Sequence, residues 1–253
     1  MLAKYTLIAI LFLSICGIFS TAILNKAEDV VSVLVSGINK LHPIYAVDIK
    51  EKKVAFSFDA TWGSTRTPLL LQTLAENNIK TTFFLTNIWL NSYPQLAKEI
   101  VENGHETGLH TANHPDMTTL SEDGMRKELL ENAKMIEDIT GQKPSLFRPP
   151  FGAYNNKVIS IAKEENIIPV QWSIDSLDWK NLTAEAIVKR VTERIKPGAI
   201  ILFHNDGANT PKALEAIIEY MRLEEYTIVP ISELIYKEKY YIDVNGIQKS
   251  KEE

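Results

Sequence analysis

The stretch VAFSFDA, residues 54–60, decides the fold. Its first five residues form an uncharged, mostly apolar run of the length of a buried strand, and the carboxylate of Asp59 follows directly. Further short apolar runs occur later in the chain, separated by segments of helix length. They are TTFFL (81–85), ETGL (106–109), SLF (145–147), IIPVQWS (167–173), AIILF (199–203) and YTIV (226–229). Together with the first run they predict seven strands.

The segments between these runs have the features of amphipathic helices. In the clearest, predicted over 121–139, Ser121 is suited to cap the first turn and Glu122 lies at the positive end of the helix dipole. One apolar face contains Met125, Leu129, Leu130, Ala133 and Ile136. Similar helices are predicted over 66–77, 93–103, 155–165, 183–195 and 210–222. This alternation predicts an α/β fold, in which parallel strands form a closed or nearly closed barrel with the helices outside.

The composition limits the class of protein. The chain has 253 residues, of which 45% are apolar and 23% are charged, so it can bury one large core or two small ones. The formal net charge is -5, which provides no basic field to attract phosphate groups. We therefore expect no nucleic-acid partner, and a neutral or cationic substrate fits better.

The amino terminus differs from the rest of the chain. After Lys4, residues 5–24 contain no charged residue, and a helix of this length spans a bilayer. Lys4 favours an inside start, so the remainder would lie on the exported side of the membrane. Removal of the segment by a signal peptidase is the alternative, since Ser20 and its neighbours are small. Cys16, the single cysteine, lies inside this segment, so the exported part has no disulfide. Ile15 precedes Cys16 where a lipoprotein signal has a small residue, which argues against lipidation.

Four segments follow from these patterns. Residues 1–25 are predicted as a signal-anchor or signal peptide, and residues 26–51 as a stem with a lead-in strand. Residues 52–236 carry the alternating strands and helices, and residues 237–253 are predicted as a charged C-terminal tail.

Polar side chains follow five of the predicted strands. Asp59 follows the first, His110 and His114 the third, and the others are Arg148, Asp175, Asp178 and His204. Each has an ordinary structural alternative, such as a helix cap, a surface ion pair, a turn or a buried histidine. However, the carboxyl ends of strands in a parallel barrel share one face, so all of them would meet in one cleft. Two histidines four residues apart can also bind one metal ion. We therefore predict a catalytic metal site.

Five short motifs resemble a known family. They are SFDA (57–60), HTANH (110–114), RPPFG (148–152), DSLDW (175–179) and ILFH (201–204). In order and spacing they are similar to the motifs of polysaccharide deacetylases, carbohydrate esterase family four (CE4) with its NodB homology domain. The resemblance covers residues 50–235, and the apolar N-terminal segment makes it most similar to the sporulation-associated group. It implies a distorted (β/α) barrel, a divalent metal that is usually zinc, and removal of N-acetyl groups from cell-wall or chitin-like polysaccharide.

The resemblance also assigns roles around the metal. His110 and His114 match the positions of metal ligands, and Asp59 matches the catalytic base that takes a proton from the attacking water. Arg148 would hold Asp59 ionised. The backbone N–H of Phe151 matches the donor that stabilises the oxyanion.

The remaining roles concern the leaving group and the acetyl group. His204 matches the acid that protonates the leaving amine, and Asp178 the carboxylate that orients it. Trp179 and Ile201 match the small apolar pocket for the acetyl methyl group.

One position departs from the family pattern. The first motif normally has two consecutive aspartates, of which the second is the third metal ligand, but this chain has Ala60 there. Catalytic zinc normally has three protein ligands, so two histidines alone should bind it more weakly. Three hypotheses follow: a membrane-anchored N-deacetylase of wall glycan, a glycan-binding or scaffold protein without turnover, and an O-acetyl esterase on the same barrel.

Overall fold

The computed structural model describes residues 40–252, and from His42 onward they form one compact unit. The predicted membrane segment at 5–24 lies outside the described residues, so it stays a prediction. Within the described part of the chain, no helix combines the length and apolar character needed to cross a membrane.

The main sheet is built from parallel strands. The strands of the described region are β1 (Ala46–Val47), β2 (Lys53–Ala60), β3 (Thr82–Leu85), β4 (Glu106–Leu109), β5 (Leu146–Phe147), β6 (Ile168–Pro169), β7 (Ile174–Asp175), β8 (Ile200–His204), β9 (Thr227–Val229), β10 (Tyr240–Ile242) and β11 (Ile247–Ser250). Seven of them pair in the order β6-β5-β4-β3-β2-β8-β7, and β9 pairs with the start of β2. This sheet forms a curled half-barrel, which confirms the predicted α/β fold with parallel strands and helices.

The lead-in segment pairs with this half-barrel at two places. Ile44 pairs with Val170, just after β6, and Ala46 pairs with Ala199, just before β8. The backbone of Val47 also donates to the carbonyl of Gly198 at 2.9 Å. The segment that precedes the barrel in sequence is therefore part of its wall.

The helices follow the predicted alternation. They are Thr67–Glu76, Asn87–Ser92, Pro94–Glu102, Glu122–Thr140, Asn156–Glu164, Ala184–Thr192, Thr210–Leu223 and Ile231–Leu234. The long helix Glu122–Thr140 begins as expected, because the Ser121 hydroxyl accepts from the backbone N–H of Gly124 at 3.2 Å. It ends at Gly141, whose φ of 74° is readily available to glycine. Asn87–Ser92 and Ile231–Leu234 were not anticipated.

The two faces of β2 have different surroundings. Phe56, Phe58 and Ala60 are fully buried in the large apolar cluster that contains the helix residues. Ala55 belongs to a second cluster, and strand alternation places Asp59 on the same face as Ala55. Each buried phenylalanine contributes about 1.5–3 kcal/mol, so the strand that carries Asp59 is held firmly.

The C-terminal segment 237–253, expected to be a charged tail, instead contains β10 and β11. These strands pair antiparallel, and β11 pairs parallel with β1. The turn between them is stabilised by Asp243, whose carboxylate accepts from the backbone of Asn245 and Ile247 at 2.9 and 3.0 Å. The prediction was wrong because the high charge of the segment concealed the turn sequence DVNG.

Candidate active site

The polar residues at the strand ends come together in one cleft of about 730 Å³. Asp59 and His204 lie level with each other on adjacent strands β2 and β8. His110 follows β4 directly, and Arg148 follows β5 directly. Among the residues predicted for the site, those that line the cleft are Asp59, His110, His114, Phe151, Asp175, Trp179 and His204.

Asp59 forms a buried ion pair with Arg148. The Nη1 atom of Arg148 donates to Asp59 Oδ1 at 2.8 Å, and its Nη2 atom donates to the carbonyl of Gln171 at 3.0 Å. The Arg148 side chain is fully buried, with its guanidinium 4.2 Å from the ring centroid of Phe84. Burial alone would raise the pKa of Asp59, but the charge of Arg148, followed by those of His110 and His204, holds this pKa below its ordinary value. Asp59 is therefore ionised at neutral pH.

The two histidines of HTANH present neutral imidazoles. His110 Nδ1 lies 2.7 Å from the carbonyl of Arg148, and since a carbonyl only accepts, this nitrogen carries the proton. The other nitrogen, Nε2, lies 3.6 Å from Asp59 Oδ2. Burial lowers the pKa of His110, and burial followed by the charge of His110 lowers the pKa of His114 to about 4. Both side chains therefore have a lone pair available at neutral pH.

These residues fit a divalent cation, but incompletely. His114 Nδ1 is one of five buried side-chain atoms among residues 40–252 that have no hydrogen-bond partner, and it is the one on a predicted metal ligand. Two neutral imidazoles, His110 and His114, supply the nitrogen ligands that zinc and related metals prefer. The side chain of Ala60 is buried in the apolar cluster, and the described residues contain no group of three or more metal-binding side chains. The described residues thus supply two of the three protein ligands expected for a catalytic metal.

His204 is paired with a buried carboxylate. Its Nδ1 atom lies 2.7 Å from Asp178 Oδ1, and its backbone N–H donates to Asp178 Oδ2 at 2.8 Å. The hydroxyl of Thr210 also donates to Oδ2, at 2.7 Å. Burial alone would lower the pKa of His204, but the hydrogen bond and charge of Asp178, with smaller contributions from Asp59 and Asp175, raise it above its ordinary value. This arrangement suits a proton donor.

The apolar pocket requires a correction. Ile201 is fully buried in the large apolar cluster, whereas Leu202 lines the cleft. Successive residues of a strand point to opposite faces, so the residue on the same face as His204 is Leu202, two positions earlier. The alternation along β8 was therefore sufficient to identify Leu202. Trp179 lines the cleft as predicted.

Two exposed aromatic rings stand beside His114. Phe151 is 70% exposed, and its ring centroid is 4.6 Å from that of His114, edge to face. Trp62 is 65% exposed and packs against the same imidazole at 5.1 Å. The role of the Phe151 backbone as an oxyanion donor stays a prediction. Trp62, in the turn TWG, was not among the residues predicted for the site.

A second ion pair lies at the edge of the cleft. The Arg66 side chain is 3.7 Å from Asp206 Oδ1, and the backbone N–H of Arg66 donates to the same oxygen at 2.9 Å. Both residues line the cleft, and neither was predicted from the sequence. Because the two charges oppose each other, Arg66 gives the cleft little net positive charge.

Comparisons with known proteins agree with this site. A family model described as Polysaccharide deacetylase matches residues 46–169. The chain is 35% identical over 196 residues to a peptidoglycan-N-acetylglucosamine deacetylase of Bacillus cereus, covering 76% of this chain and 92% of the relative. It is 34% identical over 233 residues to peptidoglycan-N-acetylglucosamine deacetylase PgdA of Listeria monocytogenes, covering 89% of this chain. The match spans only about half, 49%, of the length of PgdA.

Solved structures give a similar result. The wild-type structure of BA3943, a CE4 family pseudoenzyme from Bacillus anthracis, superposes with a TM-score of 0.74 at 35% identity, covering 76% of this chain and 68% of that one. A BA3943 mutant described as having restored enzymatic activity matches with the same TM-score at 36% identity, covering 76% and 70% of the two chains. Relatives of this chain therefore include both deacetylases and a pseudoenzyme.

Proposed function

Because this chain belongs to the polysaccharide deacetylase family, we propose that it removes N-acetyl groups from amino sugars of a cell-wall glycan such as peptidoglycan. The observation that carries the proposal is the position of Asp59 and His204, which lie level with each other on adjacent strands in one cleft and have opposite pKa shifts. Asp59 has a pKa below its ordinary value and His204 has a pKa above it. A carboxylate base beside a protonated imidazole acid is the combination that hydrolysis of an amide requires.

The residues divide the reaction between them. Asp59 accepts a proton from the attacking water, and Arg148, which packs on the buried Phe84 ring, holds the carboxylate in place. The backbone N–H of Phe151 stabilises the oxyanion, and His204 donates a proton to the amine as the carbon–nitrogen bond breaks. The products are acetate and the free amino sugar.

A divalent cation held by His110 and His114 would polarise the acetamide carbonyl and make the water more acidic. Zinc is our proposal for its identity, since neutral imidazoles are typical zinc ligands. Trp179 and Leu202 supply apolar surface near His204 for the acetyl methyl group.

The test is acetate release by the purified full chain from N-acetylglucosamine oligomers, measured with several divalent metals and with a chelator. We expect release with metal, its loss with chelator, and its loss in His204→Ala. Acetylated xylan is the control substrate. Release from xylan alone would make the protein an O-acetyl esterase, and no release from either substrate would reject the enzymatic proposal.

A glycan-binding protein without turnover is the second candidate, and Ala60 favours it. BA3943, which is described as a pseudoenzyme, also has this fold. Zinc titration of wild type and Ala60→Asp, with thermal melting, separates the candidates. We expect the added carboxylate to tighten zinc binding ~10-fold or more. Unchanged affinity with a lower melting temperature would mean that the carboxylate is buried among apolar side chains, and would favour the binding protein.

We also propose that the protein is anchored on the exported side of the membrane and acts there, in agreement with a wall substrate. The support is the uncharged segment 5–24 after Lys4. Cell fractionation tests this: recovery in the membrane fraction, with protease sensitivity from outside the membrane, is expected. A shortened protein in the medium would indicate a cleaved signal instead. A role in sporulation is a further proposal, and expression confined to sporulating cells would support it.

A further inference from the structure

Gln171 connects three parts of the site. Its backbone N–H donates to the carbonyl of Ile44 at 2.7 Å, and its carbonyl accepts from Arg148 Nη2 at 3.0 Å. Its side-chain Nε2 donates to the carbonyl of Gly152 at 3.2 Å. The residue is 1% exposed. One buried residue thus links the lead-in strand, the arginine that pairs with Asp59 and the turn that contains Phe151.

The turn that contains Phe151 needs such a contact. Phe151 has a φ of 60° and Gly152 a φ of 68°, so two consecutive residues adopt the left-handed conformation. This conformation is unfavourable for phenylalanine, and it persists only where surrounding contacts hold it. Within the turn, the backbone of Gly152 donates to Pro149 at 3.2 Å and that of Ala153 donates to Pro150 at 3.0 Å.

Neighbouring side chains restrict the same turn. A Cβ atom at Gly152 would lie 3.1 Å from Trp172 Cη2, so the turn packs directly against the residue that follows Gln171. Gln171 Oε1 is buried and has no hydrogen-bond partner within residues 40–252. Within the described residues, the hydrogen bond from Nε2 to the carbonyl of Gly152 is therefore the polar contact that orients the Gln171 side chain.

We propose that Gln171 is a positioning residue, which holds the Phe151–Gly152 turn so that the Phe151 backbone N–H stays directed at the oxyanion. This inference rests on the proposed function, since it concerns the same reaction. The Gln171 side chain contacts neither the reacting atoms nor the metal ligands and acts only through the turn.

The kinetic test uses Gln171→Met, which keeps the length and volume of the side chain but removes the donor. Because the oxyanion forms only in the transition state, we expect kcat to fall tenfold or more while KM stays within twofold. Gln248→Met is the matched control. Gln248 is fully buried and makes two hydrogen bonds to the backbone of Tyr236, at 2.9 and 2.8 Å, but it lies in β11. The Gln248→Met variant should lower the melting temperature and leave kcat unchanged.

A second readout does not depend on turnover. Hydrogen–deuterium exchange of the full chain, followed on peptides that cover residues 148–155, should be at least tenfold faster in Gln171→Met and unchanged in Gln248→Met. If the wild type releases no acetate, the proposed function fails, and exchange alone then decides the role of Gln171. If Gln171→Met keeps both the kcat and the hydrogen–deuterium exchange rate of the wild type, the inference is overturned. If Gln171→Met does not fold, Gln171→Asn withdraws the amide from Gly152 by one methylene and is measured in the same way.

Discussion

Changing Asp59 to Asn should reduce the stability of the fold as well as remove turnover. The amide cannot take a proton from water, so acetate release should be lost. The amide is also neutral, which leaves the fully buried guanidinium of Arg148 without a counter-charge. Removing one partner of a buried ion pair typically costs about 3–5 kcal/mol. The Asn oxygen can still accept from Arg148, so we expect the lower end, about 3 kcal/mol.

Thermal unfolding measures this cost. For a domain of this size, each kcal/mol lowers the melting temperature by about 2–4 °C, so Asp59→Asn should melt roughly 6–12 °C below wild type. Asp206→Asn is the matched control, because the side chains of Arg66 and Asp206 are 37% and 22% exposed. Exposed pairs contribute about 0–1 kcal/mol, so this variant should melt within a few degrees of wild type.

A double variant separates the charge from other effects. Adding Arg148→Met to Asp59→Asn removes the unpaired buried charge, but it also removes the hydrogen bond from Arg148 Nη2 to the carbonyl of Gln171. The double variant should therefore recover part of the lost stability. If Asp59→Asn melts within about 2 °C of wild type at pH 7, the buried guanidinium of Arg148 does not need Asp59 as its counter-charge, and the reasoning is refuted.

The pH dependence has a definite sign. The pKa of Asp59 is lower in the folded protein than its ordinary value of 3.8. The contribution of ionised Asp59 to the free energy of unfolding is therefore fully present above pH 3.8. This contribution is lost as the pH falls through the lower, folded-state pKa. Asp59→Asn should remove this part of the acid denaturation profile.

Three further predictions concern the cleft. His110→Ala and His114→Ala should each lower the bound metal, measured by mass spectrometry of the purified protein, and abolish acetate release; metal content equal to wild type in both would reject the ligand assignment. Trp62→Ala should raise KM for glycan oligomers by about 2–12-fold at constant kcat, because a sugar ring would lose an aromatic contact worth ~0.5–1.5 kcal/mol; an unchanged KM would exclude stacking. Leu202→Ala should impair activity more than stability, whereas Ile201→Ala should mainly cost about 2–5 kcal/mol of unfolding free energy; the reverse result would contradict the corrected pocket.

The sequence predicted most of the fold because its strands and helices have clear periods. The run VAFSF lies within β2, and the predicted helix 121–139 is shifted by one residue at each end. The same patterns located the strand ends, and parallel strands bring their carboxyl ends to one edge. Asp59, His110 and His204 therefore met as expected, although many residues separate them in the chain.

The error at Ile201 was avoidable from the sequence, whereas the roles of Gln171 and Trp62 gave no sequence signal. Ile201 was chosen by its match to a motif, whereas the alternation along β8 places Leu202 in the cleft. The hydrogen bonds of Gln171 depend on the tertiary position of Ile44 and Gly152, which no local pattern specifies. The exposed ring of Trp62 gives no periodic signal, because a single aromatic residue in a turn has none.

The site residues differ in how strongly they argue for activity. Arg148 is fully buried and would destabilise the fold without Asp59, so selection for stability alone could retain this pair in a protein without turnover. His204 is different, because its side chain is 30% exposed. Loss of this side chain would expose the buried carboxylate of Asp178 to solvent only in part.

His114 is the stronger case. Its Nδ1 atom is buried with no partner in the described part of the chain, which costs stability unless a ligand occupies it. A metal ion bound between His114 and His110 would give this imidazole a ligand, so metal binding and stability are linked at His114 more directly than at the pair of Asp59 and Arg148. If zinc raises the melting temperature of the wild type but not of His114→Ala, the site binds metal despite Ala60.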